Sequence, residues 1–179
     1  MVRLAINGYG RIGRSVLRAL QESPLRSRLQ VVAINELADA RTVLHLTRYD
    51  STHGRFPGQL QGDEQRLEVN GEPISLLRSE DITALPWGEL GVDLVLECTG
   101  AFSDRATAAQ HIEQGAGKVL FSQPGQADVD ATIVYGVNQD VLRADHSIVS
   151  AGSCTTNCIV PVIQALSDAV GIDSGTITT

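Results

Sequence analysis

The sequence predicts an α/β protein: a doubly wound, mostly parallel sheet carrying an antiparallel insertion, followed by the start of a second domain. Three observations carry that prediction. Short apolar runs suited to buried strands alternate with segments of helical spacing. An Asn70-Gly71 pair stands between two strand-like stretches, the pattern of a tight hairpin. A glycine-rich loop, Gly8-Tyr9-Gly10-Arg11-Ile12-Gly13, separates the first apolar run from the first helical segment.

Val2 to Ile6 is the first strand, and Val16, Leu17 and Leu20 fall on one face of the helix after the loop. Leu29 to Asn35 reads as a second buried strand, closed by Glu36. The unit is β-α-β with a G-x-G-x-x-G turn, which is Rossmann-like. In such a turn the first glycine permits the tight bend and the second lets the backbone approach a pyrophosphate. The third lets the helix pack closely on the strand. The unpaired N–H groups and the dipole at the helix N-terminus favour the anion. Glu36, about 20 residues past the loop, is placed to accept from a ribose 2′-hydroxyl and to repel a 2′-phosphate, so the predicted cofactor is NAD, not NADP.

Ala38 to Tyr49 reads as a helix with Val43, Leu44 and Leu46 inward, and Asp50 to Phe56 as a turn-rich connector in which His53 is a solvated or backbone-bonded loop residue. Gln65 to Val69 and Pro73 to Leu77 flank the Asn-Gly turn and form the antiparallel insertion. Trp87 is read as a packing residue at the domain edge. Val92 to Cys98 is a strand running into Thr99 and Gly100, and Asp104 is placed to cap a helix through Ile112. Lys118 to Ser122, Ala131 to Tyr135 and Ser147 to Ser150 complete the strands. Ligands of open parallel sheets sit beyond the carboxyl ends of the strands, which puts Thr99, Gly100 and Ser122 beside the cofactor.

Composition bounds the partners. The net charge of −7, with 14 basic residues spread along the chain, argues against a nucleic-acid surface. No run of 18 apolar residues could form a membrane span, and Met1-Val2-Arg3 leads into a strand without the apolar core of a signal peptide. Three cysteines in neither a disulfide framework nor a metal spacing suit a reducing compartment, and a cytoplasmic protein without a metal site is expected.

A second chemical signal lies at Ser150-Ala151-Gly152-Ser153-Cys154-Thr155-Thr156-Asn157-Cys158, between a strand and a run of helical spacing through Ile159, Val162, Ile163 and Leu166. A cysteine at a helix N-terminus feels positive partial charge, which stabilises the thiolate and makes it a nucleophile. Neighbouring hydroxyls suit a phosphate or carbonyl oxygen more than apolar packing. Cys158 reads as a buried helix cysteine, not a redox partner, and Pro161 as a local kink. An NAD site with an activated thiol points to aldehyde oxidation: thiolate addition, hydride loss to the nicotinamide, and release of a thioester by water or phosphate.

The stretches Ala5 to Arg14, Tyr49 to Phe56, Glu97 to Gly100 and Ser153 to Cys158 resemble the phosphorylated-aldehyde dehydrogenases of the glyceraldehyde-3-phosphate dehydrogenase family. Within it, Asn35-Glu36-Leu37-Ala38-Asp39 and Phe121-Ser122-Gln123-Pro124-Gly125 are more similar to the branch acting on erythrose 4-phosphate. That resemblance implies NAD-dependent oxidation to 4-phosphoerythronate on the route to pyridoxal phosphate, with water as acyl acceptor, in a homotetramer. It implies Cys154 as nucleophile, with Ser153 and Thr155 on the substrate phosphate. It also implies cofactor contacts from Asn7, Gly8, Gly10, Arg11, Ile12, Gly13, Glu36, Thr99, Gly100 and Ser122, and makes Arg78 the candidate for an adenine-side contact. Two departures stand out. Ala151-Gly152 occupy the place of the usual Asn-Ala, and Glu80 occupies a position that is often arginine.

The resemblance further divides the chain into an NAD-binding domain, residues 1–152, and the start of a catalytic domain, residues 153–179, formed of a helix and a partial strand. None of His45, His53, His111 or His146 lies in the motif of the activating histidine. The chain is therefore expected to be an N-terminal fragment that binds NAD and turns over poorly.

Overall fold

The structure, a computed structural model, describes residues 1–178. In chain order the elements are β1 (Val2–Asn7), α1 (Arg11–Glu22), β2 (Leu29–Asn35), α2 (Ala40–Arg48), β3 (Tyr49–Asp50), β4 (Gly54–Arg55), β5 (Leu60–Gly62), β6 (Arg66–Val69) and β7 (Glu72–Leu77). There follow β8 (Leu94–Glu97), α3 (Arg105–Glu113), β9 (Lys118–Phe121), β10 (Ala131–Thr132), β11 (Ile148–Ser150) and α4 (Cys154–Val170).

Among the described residues nine strands form one sheet in the order β10-β11-β9-β8-β1-β2-β7-β6-β5. All pairs from β10 to β7 are parallel, and β7-β6 and β6-β5 are antiparallel. The chain winds from β1 outward to β2 on one side, then returns to β8 on the other, so the switch point lies between β1 and β8. The expected doubly wound sheet with its antiparallel insertion is the fold. The hairpin turn has Asn70 at φ 53° and Gly71 at φ 85°, both left-handed, as a two-residue turn matched to strand twist requires.

Alternation along the strands divides the core. Leu4 and Ile6 of β1 face Leu17 and Leu20 of α1 and Val43 of α2; Ala5 faces the other way, with Val95, Phe121, Ala108 of α3 and Trp87. The pairing of β1 with β2 is irregular at one point. Its register runs Leu4↔Val31 and then Ala5↔Ala33, so β2 carries one extra residue, and Asn7 ends opposite Asn35.

Several expectations need correction. The second helix begins at Ala40, capped by the Asp39 carboxylate on the Thr42 N–H (2.8 Å), and Leu46 is 37% exposed while Thr47 is buried in its place. The helix face is turned so that Val43 and Thr47, four apart, point inward. The connector after it pairs as the small antiparallel ladder β3-β4. The strand expected over 131–135 pairs only at Ala131 and Thr132, because the chain then turns at Gly136, whose φ is 90°. Trp87 is fully buried in the second core cluster, not at an edge.

Pro161 sits inside a continuous α4, where it leaves the carbonyl of the exposed residue Asn157 without a helical N–H donor. The partial strand expected near the end does not form over 171–178, where no neighbouring strand offers pairing; Thr179 lies outside the described residues. No described helix is long and apolar enough to cross a membrane.

Candidate functional site: a cofactor cleft and a thiol helix

A cavity of about 410 Å³ opens at the carboxyl ends of β1, β2 and β8. Its walls come from Asn7, Gly8 and Gly10 on one side, Asn35, Glu36 and Leu37 on a second, and Ser79, Glu80 and Ile82 on a third; Cys98, Thr99, Ala101 and Phe102 close it. This is the switch point of the sheet, where open α/β folds bind ligands.

The glycines act differently. Gly8, at φ 87°, lies under the β8 turn: a Cβ there would be 2.6 Å from the Thr99 nitrogen. Gly13 lets α1 close on β1, since its Cβ would lie 2.5 Å from the Gly8 oxygen. A Cβ on Gly10 would meet no atom within 4 Å, so the backbone there borders open space. Gly10 is also the N-cap of α1, with no side chain capping it and no acidic residue in the first turn. The unpaired N–H groups of that turn fit an anionic pyrophosphate.

Glu36 follows β2 and is anchored by two backbone donors, the Tyr9 N–H to Oε2 (2.9 Å) and the Ala38 N–H to Oε1 (3.1 Å). These bonds tie the glycine loop to the end of β2 and aim a fixed negative charge at the cleft. Arg11 and Ile12 are exposed at the start of α1, where Arg11 lies 3.9 Å from Asp50; their side chains are not among the cleft walls. Arg78 is turned away: its Nε donates to the Ala38 carbonyl (3.2 Å) and its Nη2 pairs with Glu64 (2.9 Å), while Ser79 and Glu80 line the cavity. Gly100, at φ 74°, forms the turn beyond Thr99 without lining the cavity. Ser122 lies beyond the end of β9, its N–H donating to the Glu97 carbonyl (3.0 Å) and its hydroxyl to Gln123 (2.9 Å).

The sequence reading missed what lies beneath the cleft. Asn35, Asn7 and Glu97 are the last residues of three adjacent strands and stand in register. Asn35 Nδ2 donates to Asn7 Oδ1 (2.7 Å), and Asn7 Nδ2 donates to Glu97 Oε2 (2.6 Å). Glu97 Oε1 accepts from the Thr99 N–H (2.8 Å) and from the Thr99 hydroxyl. His111, buried on α3, places Nε2 3.3 Å from Glu97 Oε2, and its Nδ1 accepts from the Trp87 indole N–H (2.9 Å). Indole only donates, so Nδ1 is unprotonated and the ring proton sits on Nε2 toward the carboxylate. Burial alone would raise the Glu97 pKa, but the bonds from His111, Thr99 and Asn7 outweigh it and hold the group below its ordinary range. A charged residue inside Leu94-Val95-Leu96-Glu97-Cys98 was the one available signal. Next to it, burial pushes the Cys98 thiol up to about 11, which keeps it protonated and unreactive.

The second reactive element stands apart. Ser150 of β11 lies in the same row of the sheet two strands from Glu97, about 10 Å away by strand spacing, and the chain then enters α4. Ser153 caps the helix, its hydroxyl accepting from the Thr156 N–H (3.0 Å). Cys154 is therefore the first helical residue, and it is exposed. Cys158 is also exposed, contrary to expectation, because α4 buries no residue at all. Asn157 Nδ2 donates to the carbonyls of Ala151 (2.7 Å) and Ser153 (2.9 Å), fastening the helix start to the Ala151-Gly152 segment. No histidine bonds the Cys154 sulfur among the described residues: His111 is held by Trp87 and Glu97, and His45 lies against Tyr49.

A doubly wound sheet whose glycine turn, bare helix N-terminus and fixed glutamate converge on one cleft defines a dinucleotide-binding domain. Residues 2–105 match the family model described as glyceraldehyde 3-phosphate dehydrogenase, NAD binding domain, and residues 153–179 match that of its C-terminal domain. The chain belongs to the glyceraldehyde 3-phosphate dehydrogenase family, and its cofactor is NAD.

Proposed function

We propose that the protein oxidises D-erythrose 4-phosphate to 4-phosphoerythronate through a thioester on Cys154, supplying pyridoxal phosphate synthesis. The observation that carries the chemistry is an exposed cysteine at the first position of α4, capped by Ser153 and followed by Thr155 and Thr156. The Cys154 sulfur, as thiolate, adds to the aldehyde carbon. Bound NAD supplies the hydride acceptor that takes the Cys154 adduct to a thioester. Water then cleaves the thioester. The Ser153 hydroxyl is shared among the Thr156 N–H and the hydroxyls of Thr155 (3.2 Å) and Thr156, and of the three residues Thr155 is the exposed one, open to a substrate phosphate. Glu36 and the adjoining Leu37, with Phe121 to Gly125, support the four-carbon substrate through their likeness to that branch. The reading places residues 1–152 as the cofactor domain and 153–179 in the catalytic one, in a cytoplasmic homotetramer.

With no base on Cys154 among the described residues, the 179-residue chain binds NAD but turns over slowly, since general-base help is worth about 10²–10⁴-fold. NADH formation measured with erythrose 4-phosphate and with glyceraldehyde 3-phosphate, each with and without inorganic phosphate, tests the assignment in a chain that includes a catalytic base. A strict phosphate requirement with the triose favours the second reading, a phosphorylating glyceraldehyde-3-phosphate dehydrogenase. A third reading is a non-catalytic NAD-binding or thiol-sensing module, for which the observation is that Cys154 and Cys158 are both exposed. Trapping the acyl group on Cys154 by mass spectrometry rejects it. Cys154→Ser is expected to abolish turnover while leaving NAD affinity intact.

A further inference from the structure

The buried row below the cleft has a direction, and that direction dictates a carboxylate at position 97. It starts at Ser79, whose N–H donates to Asn35 Oδ1 (2.9 Å) and whose carbonyl accepts from Asn35 Nδ2 (2.9 Å). A backbone donor and acceptor together admit only one orientation of the Asn35 amide. Asn35 Nδ2 then faces Asn7 Oδ1, so Asn7 must present Nδ2 to Glu97. From the opposite side Trp87 fixes His111 Nδ1 as an acceptor and leaves Nε2–H toward Glu97. The Thr99 hydroxyl accepts from the Ala101 N–H (3.1 Å), which turns its own proton to Glu97. Every group around Glu97 is a donor: Asn7 Nδ2, Thr99 N–H, Thr99 O–H and His111 Nε2–H. Two ionised oxygens offer about four acceptor sites, whereas a carboxamide would set N–H against N–H.

The carboxylate also joins both walls of the cleft. Asn7 immediately precedes Gly8, and Thr99 is the residue on which Gly8 rests. We propose that Glu97 is the positioning residue of the NAD cleft, holding the glycine loop and the Thr99 turn at their binding separation without touching the cofactor itself. His111 and Trp87 are its supports. The bonds that keep Glu97 ionised despite burial agree with this role.

The inference rests on NAD binding by the chain, so calorimetric titration of the parent protein with NAD comes first; an absent signal there would strike the cofactor reading instead. Glu97→Gln is expected to weaken NAD binding roughly tenfold or more, the scale of one buried donor left unpaired. The double variant Asn7→Asp, Glu97→Gln reverses the donor order between the two positions, leaves the amide facing His111 Nε2–H, and is therefore expected to regain part of that loss. Thermal unfolding midpoints measured alongside separate positioning from simple destabilisation, because titration is done on folded protein. Parent-like affinity in Glu97→Gln, or a loss the second substitution leaves untouched, overturns the proposal.

If Glu97→Gln does not fold, His111→Phe takes its place, with His111→Gln, which restores an acceptor for Trp87 and a donor for Glu97. His111→Phe should bind NAD several-fold more weakly and His111→Gln close to the parent. Unchanged affinity in His111→Phe is the overturning result.

Discussion

The sheet ends around the cleft and the helix α4 answer the same question in opposite ways. At the cleft, polar side chains are buried and each is partnered: Asn7, Asn35, Glu97 and His111 are all under 7% exposed and joined in one row. In α4 most apolar residues are exposed, with Val162 and Leu166 each at 50%, while Ile159 and Val160 are half-buried. The first arrangement is fixed by a directional run of hydrogen bonds between buried side chains. The second is fixed by local bonds at Ser153 and Asn157, with no tertiary burial to resist change. Cofactor binding is thus a property of packed structure, while the position of the thiol is a property of local sequence.

Substitutions can break or sharpen that contrast. The largest effect is expected from Gly8→Ala, which adds a Cβ 2.6 Å from the Thr99 nitrogen at a left-handed φ and should cost roughly 2–5 kcal/mol in denaturant unfolding, with loss of NAD binding. Trp87→Phe removes the donor to His111 Nδ1 and is expected to cost about 1–3 kcal/mol, read the same way.

Acid should erode the row's contribution. The folded pKa of Glu97 lies below its ordinary 4.5, so the stabilisation is fully present above that value and is lost as pH falls through the lower, folded value. The difference in unfolding free energy between the parent and Glu97→Gln should therefore be flat above about pH 5 and shrink toward acid; growth of that difference at low pH would contradict the assignment. At the other extreme, Leu166→Glu on α4 should change stability by no more than about 0.5 kcal/mol, because Leu166 is 50% exposed on a helix that buries no residue. A large loss there would mean that α4 is held by contacts absent from this structure.

The two regions also differed in how far the sequence disclosed them. The loop Gly8 to Gly13 and Glu36 are local patterns, each readable within a few residues; Gly8, Gly10 and Glu36 line the cleft, whereas the Arg11 and Ile12 side chains do not. The helical face of Val43 was legible, but Leu46 was assigned inward because an apolar residue was preferred to Thr47 one position later. The row itself was hidden. Its members are numbered 7, 35 and 97 and meet only through strand pairing, so their alignment depends on long-range register that periodicity does not encode. Arg78 was similarly invisible as a partner of Glu64, a residue in the loop between β5 and β6.

That register depends on the bulge that absorbs the single extra residue of β2. Had the pairing continued from Leu4↔Val31 without the shift, Asn7 would have stood beside Ile34, and the amide of Asn35 would have overshot it by one position. The bulge works as a spacer that trims two strands of unequal length to a common finish. Removing the unpaired Val32 would let β1 and β2 pair without a bulge and still end with Asn7 opposite Asn35, whereas one further residue in β2 without a second bulge would carry Asn35 past Asn7 and dissolve the polar row. The bulge is therefore what reconciles the seven residues of β2 with the cleft at its end.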